Sequence, residues 1–598
     1  MTRQDIALEI WHRYEDAMSY QTSTGLRKRI PEYVSFYEGR QWPAPTRNTK
    51  NLPRPVINIV KMICRLKKSA ILSSPIKIIY RCADKRVDTD TFNLFSQYVM
   101  KKMDQESIDK NAIDDATKKG SYFYHYYWDS CVTEDGRVSE GALRCELIDP
   151  LNIFFENPCE LDEQKQKWII IATRERVEDV RKIAETGVDI SDIMPDDEVD
   201  NTREDGMRRG LCTVLTMYHR IGGEVYCTRS VKGTVIRSAF PITPDTALAC
   251  KALELDTEGE ENYPHSPRAT LYPIVCGYYE KKDRCIYGLS EVEGLIPNQK
   301  AINFNIAMSL LNAQEVAWGK YIALPGALKG QTISNAPGQV LIDYSGTGNG
   351  IKKMQENYMQ AYPVDLVKTV TDLTRSVTGT SEFMTGEVQG SGMSGTAIAR
   401  LQSQAQLPIE DLRALFMSVK RKQGRVLAQF FKLYYPYKEF ITEGEEGAVA
   451  RIFSSRNYTE ADFEVLVETA LGANASAAGD ISMLDTALRH GSMSLEAYIS
   501  AYPDDALTDK KRLLDLIKQE KESENVRLRE EIEALTHRIE EADALIKEQD
   551  ATVSRVVSII NENKSLKEYI TKEYTDGKQY GKQYEKQYGK HSRKQGSK

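Results

Sequence analysis

The sequence lacks the patterns that mark nucleotide, metal or hydrolase sites. It contains no Gly-x-x-x-x-Gly-Lys-Ser/Thr phosphate loop, no His-Glu-x-x-His and no Gly-x-Ser-x-Gly. The nearest approach to a phosphate loop, Gly346 to Lys353, has no Ser or Thr after its lysine, and it favours a hairpin turn. The seven histidines are scattered. We therefore expect no catalytic residues, no cofactor and no metal, and predict that the protein is not an enzyme.

Long apolar runs are also missing. The longest candidates, such as Trp168–Ala172, are far shorter than the roughly 20 residues of a membrane helix and are typical of buried strands. The N-terminus begins Met-Thr-Arg-Gln-Asp and has no apolar signal-peptide core. These absences predict a protein made and kept in the cytosol, with no membrane partner.

Paired cysteines are absent as well. All ten cysteines lie between Cys64 and Cys285, and none forms Cys-x-x-Cys. Buried free thiols in a reducing compartment are the favoured interpretation over metal ligands or disulfides. An acidic loop carries Asp196, Asp197, Glu198 and Asp200, which we interpret as a solvated turn because a calcium loop needs a defined alternation and a glycine.

Charge excludes one class of partner. The 598 residues are 41% hydrophobic and 28% charged, which is typical of a folded protein of two to four structural regions. The net charge of −7 argues against tight wrapping of nucleic acid, because affinity for phosphate rises with Lys and Arg contacts. A mildly acidic protein can still surround DNA without gripping it.

The first half of the chain alternates helix and strand. Helices are predicted over residues 1–38, 56–72 and 91–120, the first ended by Gly39 and the last by Gly120. Strands are predicted over residues 76–80, 122–128, 142–148, 167–174, 212–220 and 223–238. Glu134-Asp135-Gly136-Arg137 predicts a hairpin turn, and acidic loops fall near 195–206 and 254–262. The pattern indicates an α+β fold that is mainly helical.

Near residue 290 the pattern becomes helical. Ser290 and Glu293 have capping-box spacing, and Pro297 suits the first turn of a helix that would reach Trp318. That helix is rich in amides and poor in charge, which suits a channel that lets phosphates slide, although a half-buried helix explains it nearly as well. Further helices are predicted over 361–378 and 396–434, with a kink at Pro408 and a glycine-rich loop at 384–395 between them.

The C-terminal region carries a heptad pattern. Apolar residues alternate four and three apart from Leu528 to Ile560, and Gln549 is the one polar member of this seam. The seam would be on the order of 50 Å long and needs a partner helix, most simply from another copy of the chain. A Lys-Gln-Tyr repeat then precedes the C-terminus, and residues 571–598 hold eight Lys/Arg against three Asp/Glu, a net of +5. This tail is predicted to be disordered, either contacting nothing specific or neutralising and stacking on nucleic acid.

Several segments together resemble the portal proteins of tailed bacteriophages, particularly of short-tailed phages. They are Phe36-Tyr37-Glu38-Gly39-Arg40-Gln41-Trp42-Pro43, Arg54-Pro55-Val56-Ile57-Asn58, Gly120 before the strand ending Trp128-Asp129, Ile148-Asp149-Pro150-Leu151-Asn152-Ile153-Phe154, Tyr287-Gly288-Leu289-Ser290, Pro297-Asn298-Gln299-Lys300-Ala301-Ile302-Asn303 and Ser394-Gly395-Thr396-Ala397-Ile398. The similarity spans roughly residues 30–435, and the order and spacing of the segments carry it.

The resemblance implies a portal-like fold with wing, stem, clip and crown regions in a dodecameric ring. The implied map is an N-terminal helical arm at 1–59, a wing at 60–289, a descending stem helix at 290–318, a clip at 319–360, an ascending stem helix at 361–380, a channel loop at 381–395, a long inner helix at 396–434, further wing and crown at 435–520, a coiled-coil barrel at 521–565 and the basic tail at 566–598. Such a ring occupies one capsid vertex of the virion after assembly in the host cytoplasm. It is the channel for packaging and ejection of double-stranded DNA.

The same resemblance implies partners and candidate residues. The partners are further copies of the chain, the terminase large subunit, neck and tail adaptor proteins, and the major capsid and scaffolding proteins. The candidates facing DNA are Asn298, Asn305, Asn312, Gly390, Ser391, Gly392 and Met393. The candidates for the coiled-coil seam are Ile532, Leu535, Ile539, Ile546, Gln549 and Val553. Two rival functions stay open at this point, another structural connector or ring protein of the virion and an ATPase of the packaging motor.

Overall fold

A computed structural model gives the conformation of most of the chain. It describes residues 2–47, 49–73, 76–129, 133–134, 137–138, 141–196, 210–242, 268–317, 321–334, 339–346, 348–354, 362–380, 395–444, 447–469, 476–491, 493–502, 510–563, 565, 568–569 and 571–573. The chain divides into two compact units, Met1–Ala477 and Ala478–Lys598. Helix and strand are mixed throughout the first unit, as the sequence predicts.

The described helices fall into three groups along the chain. The first group is α1 (Arg3–Ser23), α2 (Leu26–Glu38), α3 (Ile59–Ile71), α4 (Thr89–Lys102), α5 (Gln105–Lys119) and α6 (Val177–Ile183). The second is α7 (Glu291–Ala317), α8 (Tyr362–Val377) and α9 (Gly395–Tyr434). The third is α10 (Ser476–Arg489), α11 (Leu495–Ala501) and α12 (Lys510–Glu562). The predicted helices at 290–318, 361–378 and 396–434 are confirmed to within a few residues.

Most strands precede α7. They are β1 (Ile76–Cys82), β2 (Ser121–Asp129), β3 (Thr133–Glu134), β4 (Arg137–Val138), β5 (Ala142–Ile148), β6 (Ile153–Phe155), β7 (Trp168–Arg176), β8 (Leu211–Ile221), β9 (Glu224–Ser230), β10 (Val235–Pro241), β11 (Ile274–Tyr278), β12 (Glu280–Lys282) and β13 (Cys285–Leu289). The later ones are β14 (Tyr321–Ala323), β15 (Ile351–Lys353), β16 (Lys438–Gly444), β17 (Gly447–Phe453) and β18 (Phe463–Thr469).

Two predicted helices are each broken in two. The helix predicted over 1–38 stops at Thr24 and restarts after Gly25, whose φ of 73° is the left-handed conformation that glycine adopts without strain. The helix predicted over 91–120 breaks at Asp104, which takes a φ of 53° although it is not glycine. Gly39 and Gly120 end α2 and α5 in the left-handed conformation, which confirms the two predicted helix stops.

Two antiparallel sheets form the body of the first unit. The larger has the strand order β10-β9-β8-β7-β6, and the smaller has the order β11-β2-β5. The segment predicted as one strand over 223–238 is a hairpin of β9 and β10, because Ser230 and Val235 pair across a turn. His125 on β2 joins the two sheets, since its Nδ1 lies 2.8 Å from the Glu146 carboxylate and its Nε2 lies 2.7 Å from the Tyr218 hydroxyl.

The core of the first unit joins segments that are far apart in sequence. One cluster packs α4, α5, β1 and the three-stranded sheet against α9, with Phe92, Phe95 and Phe431 fully buried. β1 pairs with β18 from Ile76 opposite Thr469 to Cys82 opposite Phe463. A separate cluster packs α2 and α3 against the first half of α7. α7 therefore begins inside the core rather than on its surface.

Some local interpretations need correction. Asp196 is not in a solvated turn, because its carboxylate accepts from the Thr213 backbone N–H at 2.6 Å and pairs with Arg174. Asp197, Glu198 and Asp200 lie outside the described residues. Cys159 is exposed, whereas Cys64, Cys212, Cys227, Cys276 and Cys285 are buried free thiols as expected. The hairpin at Glu134–Arg137 is confirmed by the pairing of β3 with β4.

The second unit consists of helices α11 and α12 and most of α10. Within it, the Tyr498 hydroxyl donates to the Asp485 carboxylate at 2.6 Å, and Lys521 pairs with Glu496 at 2.5 Å. α12 has 53 residues and is therefore about 80 Å long. It begins well before the coiled-coil segment predicted to start at 521.

Candidate functional site

The entry to α7 is built from polar contacts. The Ser290 hydroxyl accepts from the Val292 N–H at 3.0 Å and donates to the carbonyls of Thr117 and Lys118, both at 2.8 Å. The Glu293 carboxylate accepts from Arg29 at 3.0 Å instead of completing a capping box. Pro297 was predicted in the first turn, but α7 begins at Glu291, so this proline lies inside the helix.

A buried ion pair fixes the same end of α7. Lys67 on α3 lies 2.7 Å from the Glu291 carboxylate, which also accepts from the Tyr279 hydroxyl at 2.7 Å. Both charged side chains are 11% exposed, so solvent screens the pair weakly. Burial and the neighbouring Glu291 charge raise the pKa of Tyr279 above its ordinary value. The hydroxyl therefore stays protonated and remains a donor.

The amides of α7 divide between the core and the neighbouring helix. Gln299 and Asn303 are buried, and Gln299 bonds to the backbone at the start of α3. The Asn298 side chain donates to the Thr374 hydroxyl on α8 at 3.1 Å. The amide content that suggested a channel wall is thus used in part for packing. The half-buried-helix alternative holds for Gln299 and Asn303.

The three channel candidates on α7 share one face. Asn298, Asn305 and Asn312 are seven residues apart and all are partly buried. Asn305 donates to the Ala301 carbonyl of its own helix at 2.8 Å. Of the three, Asn298 is bonded to α8 through Thr374. Whether they face DNA stays a prediction.

A line of apolar residues runs along the exposed side of α7. Pro297, Ala301 and Phe304 are exposed, and Met308 and Leu311 continue the same line half-buried. These residues alternate four and three apart, the spacing of one helix face. We call these five residues the α7 stripe. The stripe was not predicted from the sequence, because the interpretation of this helix rested on its amides. The four-and-three spacing of the apolar residues is the signal that indicates it.

A second apolar patch lies on α8 and α9. Leu373 and Val377 are exposed on α8, Val377 to 85%, and Leu407 is exposed on α9. The end of α8 meets α9 here, because a Cβ on Gly379 would lie 3.0 Å from the Pro408 ring. We call Leu373, Val377 and Leu407 the α8–α9 patch. Pro408 lies within α9, and the kink expected there stays a prediction.

A small β-hairpin stands between α7 and α8 in the chain. β14 pairs with β15 from Tyr321 opposite Lys353 to Ala323 opposite Ile351. The Asp343 carboxylate accepts from the Ser345 and Gly350 N–H groups at 2.8 and 2.7 Å, and hydrogen bonding from the Ser345 side chain, together with these bonds, lowers its pKa. The glycine-rich run ending at Lys353 therefore leads into a strand and not into a helix as in a phosphate loop. The hairpin turn expected there stays a prediction.

The coiled-coil seam is helical and open to solvent. All six seam candidates lie within α12, and the apolar ones are between 50 and 64% exposed. They are Ile532, Leu535, Ile539, Ile546 and Val553, and Gln549 is exposed with them. The predicted helix is confirmed, and the partner that covers the seam stays a prediction. Gly390, Ser391, Gly392 and Met393 lie outside the described residues, as does most of the basic tail.

Among the described residues, no three His, Cys, Asp or Glu side chains are grouped so that they could hold a metal ion. Within the same residues, no helix is long and apolar enough to cross a membrane.

One protein family matches the part of the chain that holds these helices. The model of the Phage P22-like portal protein family matches residues 247–461. The match contains α7, the β14–β15 hairpin, α8 and α9. The resemblance to phage portal proteins is confirmed. The matched residues 247–461 include residues 290–434, which the sequence motifs predict to be stem, clip, channel loop and inner helix.

Comparison with other known proteins adds little to the portal match. A solved structure titled "Neck of empty GTA particle computed with C6 symmetry" is similar at 10% identity and a TM-score of 0.33, over 77% of this chain and 90% of that chain. A TM-score of 0.33 does not establish a shared fold. No curated protein matches the chain.

Proposed function

We propose that the chain is the subunit of a phage portal ring, the channel for DNA packaging and ejection at one capsid vertex. The observation that carries this proposal is the family match over residues 247–461, which falls on the helical hairpin α7–α8 and on α9. In this role the protein has no catalytic residues, and its function is to form the ring and the channel through it. Its partners would be the terminase large subunit during packaging, neck and tail adaptors afterwards, and the capsid and scaffolding proteins around it.

Two separate apolar surfaces support a ring. The α7 stripe and the α8–α9 patch lie on different helices of one subunit, and exposed apolar side chains of this kind mark protein interfaces. A contact between two different surfaces of identical subunits is head-to-tail, and it closes into a ring when the rotation fits. We therefore propose that the α7 stripe of one copy packs on the α8–α9 patch of the next. The ring number of twelve comes from the family resemblance alone.

The proposed division of labour follows the helices. α7 and α8 are the two stem helices, the β14–β15 hairpin belongs to the clip, and α9 is the inner helix. The two sheets and α4–α6 make up most of the wing. α12 adds a coiled-coil barrel in which the open seam packs against neighbouring copies.

DNA contact in this proposal is non-specific. Asn298, Asn305 and Asn312 are neutral amides on the proposed stem helix α7. Residues 381–395 correspond to the channel loop that the family resemblance implies. Uncharged polar groups do not hold phosphates as Lys and Arg do, so a duplex can slide past them. The net charge of −7 fits a channel that does not retain its cargo.

The experiment is an assembly assay on the full-length protein. Negative-stain imaging and sizing with light scattering should show rings at tens of micromolar protein. Val377→Asp should reduce ring formation at least tenfold, because a charge would be buried in the proposed interface. Lys368→Asp is the matched control, since Lys368 is exposed on the side of α8 opposite Val377. A wild-type protein that stays monomeric would overturn the proposal, and so would rings that tolerate Val377→Asp.

A further inference from the structure

Gln299 uses its whole hydrogen-bonding capacity in the core. Its Oε1 accepts from the Ile59 and Val60 N–H groups at 3.0 and 3.3 Å. Its Nε2 donates to the Ile57 carbonyl at 2.7 Å and to the Asn303 side chain at 3.0 Å. The side chain is 1% exposed, so no solvent could replace these partners. A residue of α7 is therefore satisfied almost entirely by a segment far away in the chain.

The side-chain carbonyl of Gln299 accepts hydrogen bonds from N–H groups at the start of α3. The first N–H groups of a helix have no partner within the helix. Asn58 caps the Lys61 N–H at 3.0 Å, and Gln299 accepts from the two N–H groups before it, at Ile59 and Val60. The N-terminus of α3 is thus capped jointly by its own Asn58 and by α7.

The amide chain continues to the end of α2. Asn303 is 3% exposed, and its Nδ2 donates to the Gln41 side chain at 2.7 Å. Gln41 in turn donates to the Phe36 carbonyl at 2.8 Å. We call residues 39–58, between α2 and α3, the strap. Gln299 and Asn303, on one face of α7, therefore hold both ends of the strap, and Asn303 does so through the side chain of Gln41.

The farther part of α7 is held differently. Asn305 and Ser309 each donate to a carbonyl of α7 itself, at 2.8 Å. Ile302 and Ile306 pack on the cluster that includes Val367 and Val370 of α8. Gln299 and Asn303 thus bond α7 to the N-terminal segment, whereas its contacts with α8 are the Asn298–Thr374 hydrogen bond and the apolar cluster that includes Val367 and Val370.

We propose that Gln41, Gln299 and Asn303 form a latch that positions α7 by coupling it to the strap. The three are positioning residues for the helix that the proposed function places in the channel wall, and only that consequence rests on the proposed function. When the latch opens, α7 loses its fixed position and the strap loses the cap of α3 in the same event. The two segments should therefore open together.

The test is amide hydrogen exchange of the full-length protein carrying Gln299→Met. Methionine has a similar length but offers no strong donor or acceptor. Exchange should accelerate about tenfold in peptides covering both 39–62 and 291–305, because opening is local and cooperative. Peptides of β7 and β8, across the Trp168–Arg176 pairing, should keep the wild-type rate. Asn305→Ala is the matched control, since it removes an amide of the same helix whose hydrogen bond goes to a carbonyl of α7 itself. It should leave the exchange rate of the strap unchanged.

Two outcomes would overturn the latch. Acceleration in only one of the two segments shows that they open independently, and equal acceleration in all peptides shows a general loss of stability. Should Gln299→Met fail to fold, Gln41→Ala cuts the chain of amides at its other end and leaves the α3 cap intact. That variant should still accelerate exchange in both the strap and peptides containing Asn303, and acceleration in the strap alone would reject the proposal.

Imaging the same samples separates this inference from the proposed function. Rings that form while the two segments exchange independently would reject the latch and leave the portal proposal standing. Coupled exchange in a protein that forms no rings would reject the portal proposal and leave the latch standing.

Discussion

Lys420 on α9 and Asp109 on α5 form an ion pair that the protein encloses almost completely. The two side chains are 2% and 13% exposed. The Asp109 carboxylate also accepts from the Tyr124 hydroxyl at 2.8 Å and from Gln105 at 3.0 Å. The pair ties the long helix of the portal-like segment to the α5–β2 region. Because each charge is out of water, each depends on its partner.

Breaking this pair from either side should have unequal effects. Asp109→Ala leaves the Lys420 ammonium buried without a carboxylate and should cost about 3–5 kcal/mol. Lys420→Met should lower the free energy of unfolding by less, because the Asp109 carboxylate keeps its hydrogen bonds from Tyr124 and Gln105. Methionine also replaces the aliphatic part of the lysine side chain. Thermal unfolding followed by circular dichroism measures both. Lys110→Met removes the exposed i,i+4 pair with Glu106 and should leave the midpoint unchanged. Equal losses for the two core variants would contradict this account of the pair.

Two glycines in helices should respond to alanine in opposite directions. A Cβ on Gly424 in α9 would lie 2.4 Å from Val465 and 2.9 Å from Ile78, whereas a Cβ on Gly294 in α7 would meet nothing within 4 Å. Gly424→Ala should destabilise the protein by about 1–3 kcal/mol, because overpacking between α9 and the β1–β18 pair exceeds the helix-propensity gain. Gly294→Ala should stabilise it by up to about 1 kcal/mol. Denaturant midpoints give both values, and a shared sign would refute the packing argument.

The sequence predicted what depends on periodicity and local stop signals. The heptad seam of α12 and the ends of α2 and α5 at Gly39 and Gly120 follow from residues that are neighbours in the chain. The break at Asp104 was missed because a left-handed aspartate has no compositional signal as strong as glycine.

The role of Gln299 could not be predicted for a different reason. Apart from Asn303, its hydrogen-bond partners lie about 240 residues away, so its burial and these partners exist only once α3 and α7 pack together. A buried amide and an exposed one have the same letter in the sequence. The same limit applies to Asn298, whose bond to Thr374 depends on the pairing of α7 with α8.

A pH-dependent contribution is expected at the start of α4. The Asp88 carboxylate accepts from the Asp90 and Thr91 N–H groups at 3.1 and 3.0 Å, and hydrogen bonds from Thr91 are the main cause that lowers its pKa below the ordinary 3.8. A lowered pKa in the folded state means that the stabilisation is present above the unfolded value and is lost as the pH falls through the folded one.

Asp88→Ala should therefore cost about 0.5–1 kcal/mol at pH 7, the lower part of the range for a helix cap because the site is exposed. The difference from wild type should shrink as the pH falls below 3.8 and disappear once the pH is below the lowered pKa of the folded state, where the carboxylate is protonated in both states. Denaturant unfolding at both pH values measures the two differences. Asp90→Ala, two residues further along in the first turn of α4, is the control. A difference that stays constant with pH would show that the carboxylate charge has no part in the cap.

The last prediction separates the ring from the coiled coil. The α7 stripe and the α8–α9 patch lie before residue 478, whereas the open seam lies in the second unit. If the α7 stripe and the α8–α9 patch assemble the ring, a chain truncated before Val526 should still form rings in negative stain, without the barrel. A chain truncated after Asn563 should keep both, because the basic tail that it lacks, which includes residues 571–598 with a net charge of +5, carries no apolar stripe.

The same truncations test how the seam is used. Identical helices placed around a ring axis point the same way, so the seam should pack in parallel, and Gln549 would set the register at some cost in stability. Gln549→Leu in the full-length protein should raise the midpoint of helix melting, since an apolar residue replaces the one polar seam member. If the chain ending before Val526 forms no rings while the chain ending after Asn563 does, α12 is the assembly element. In that case the apolar surfaces on α7, α8 and α9 need another partner.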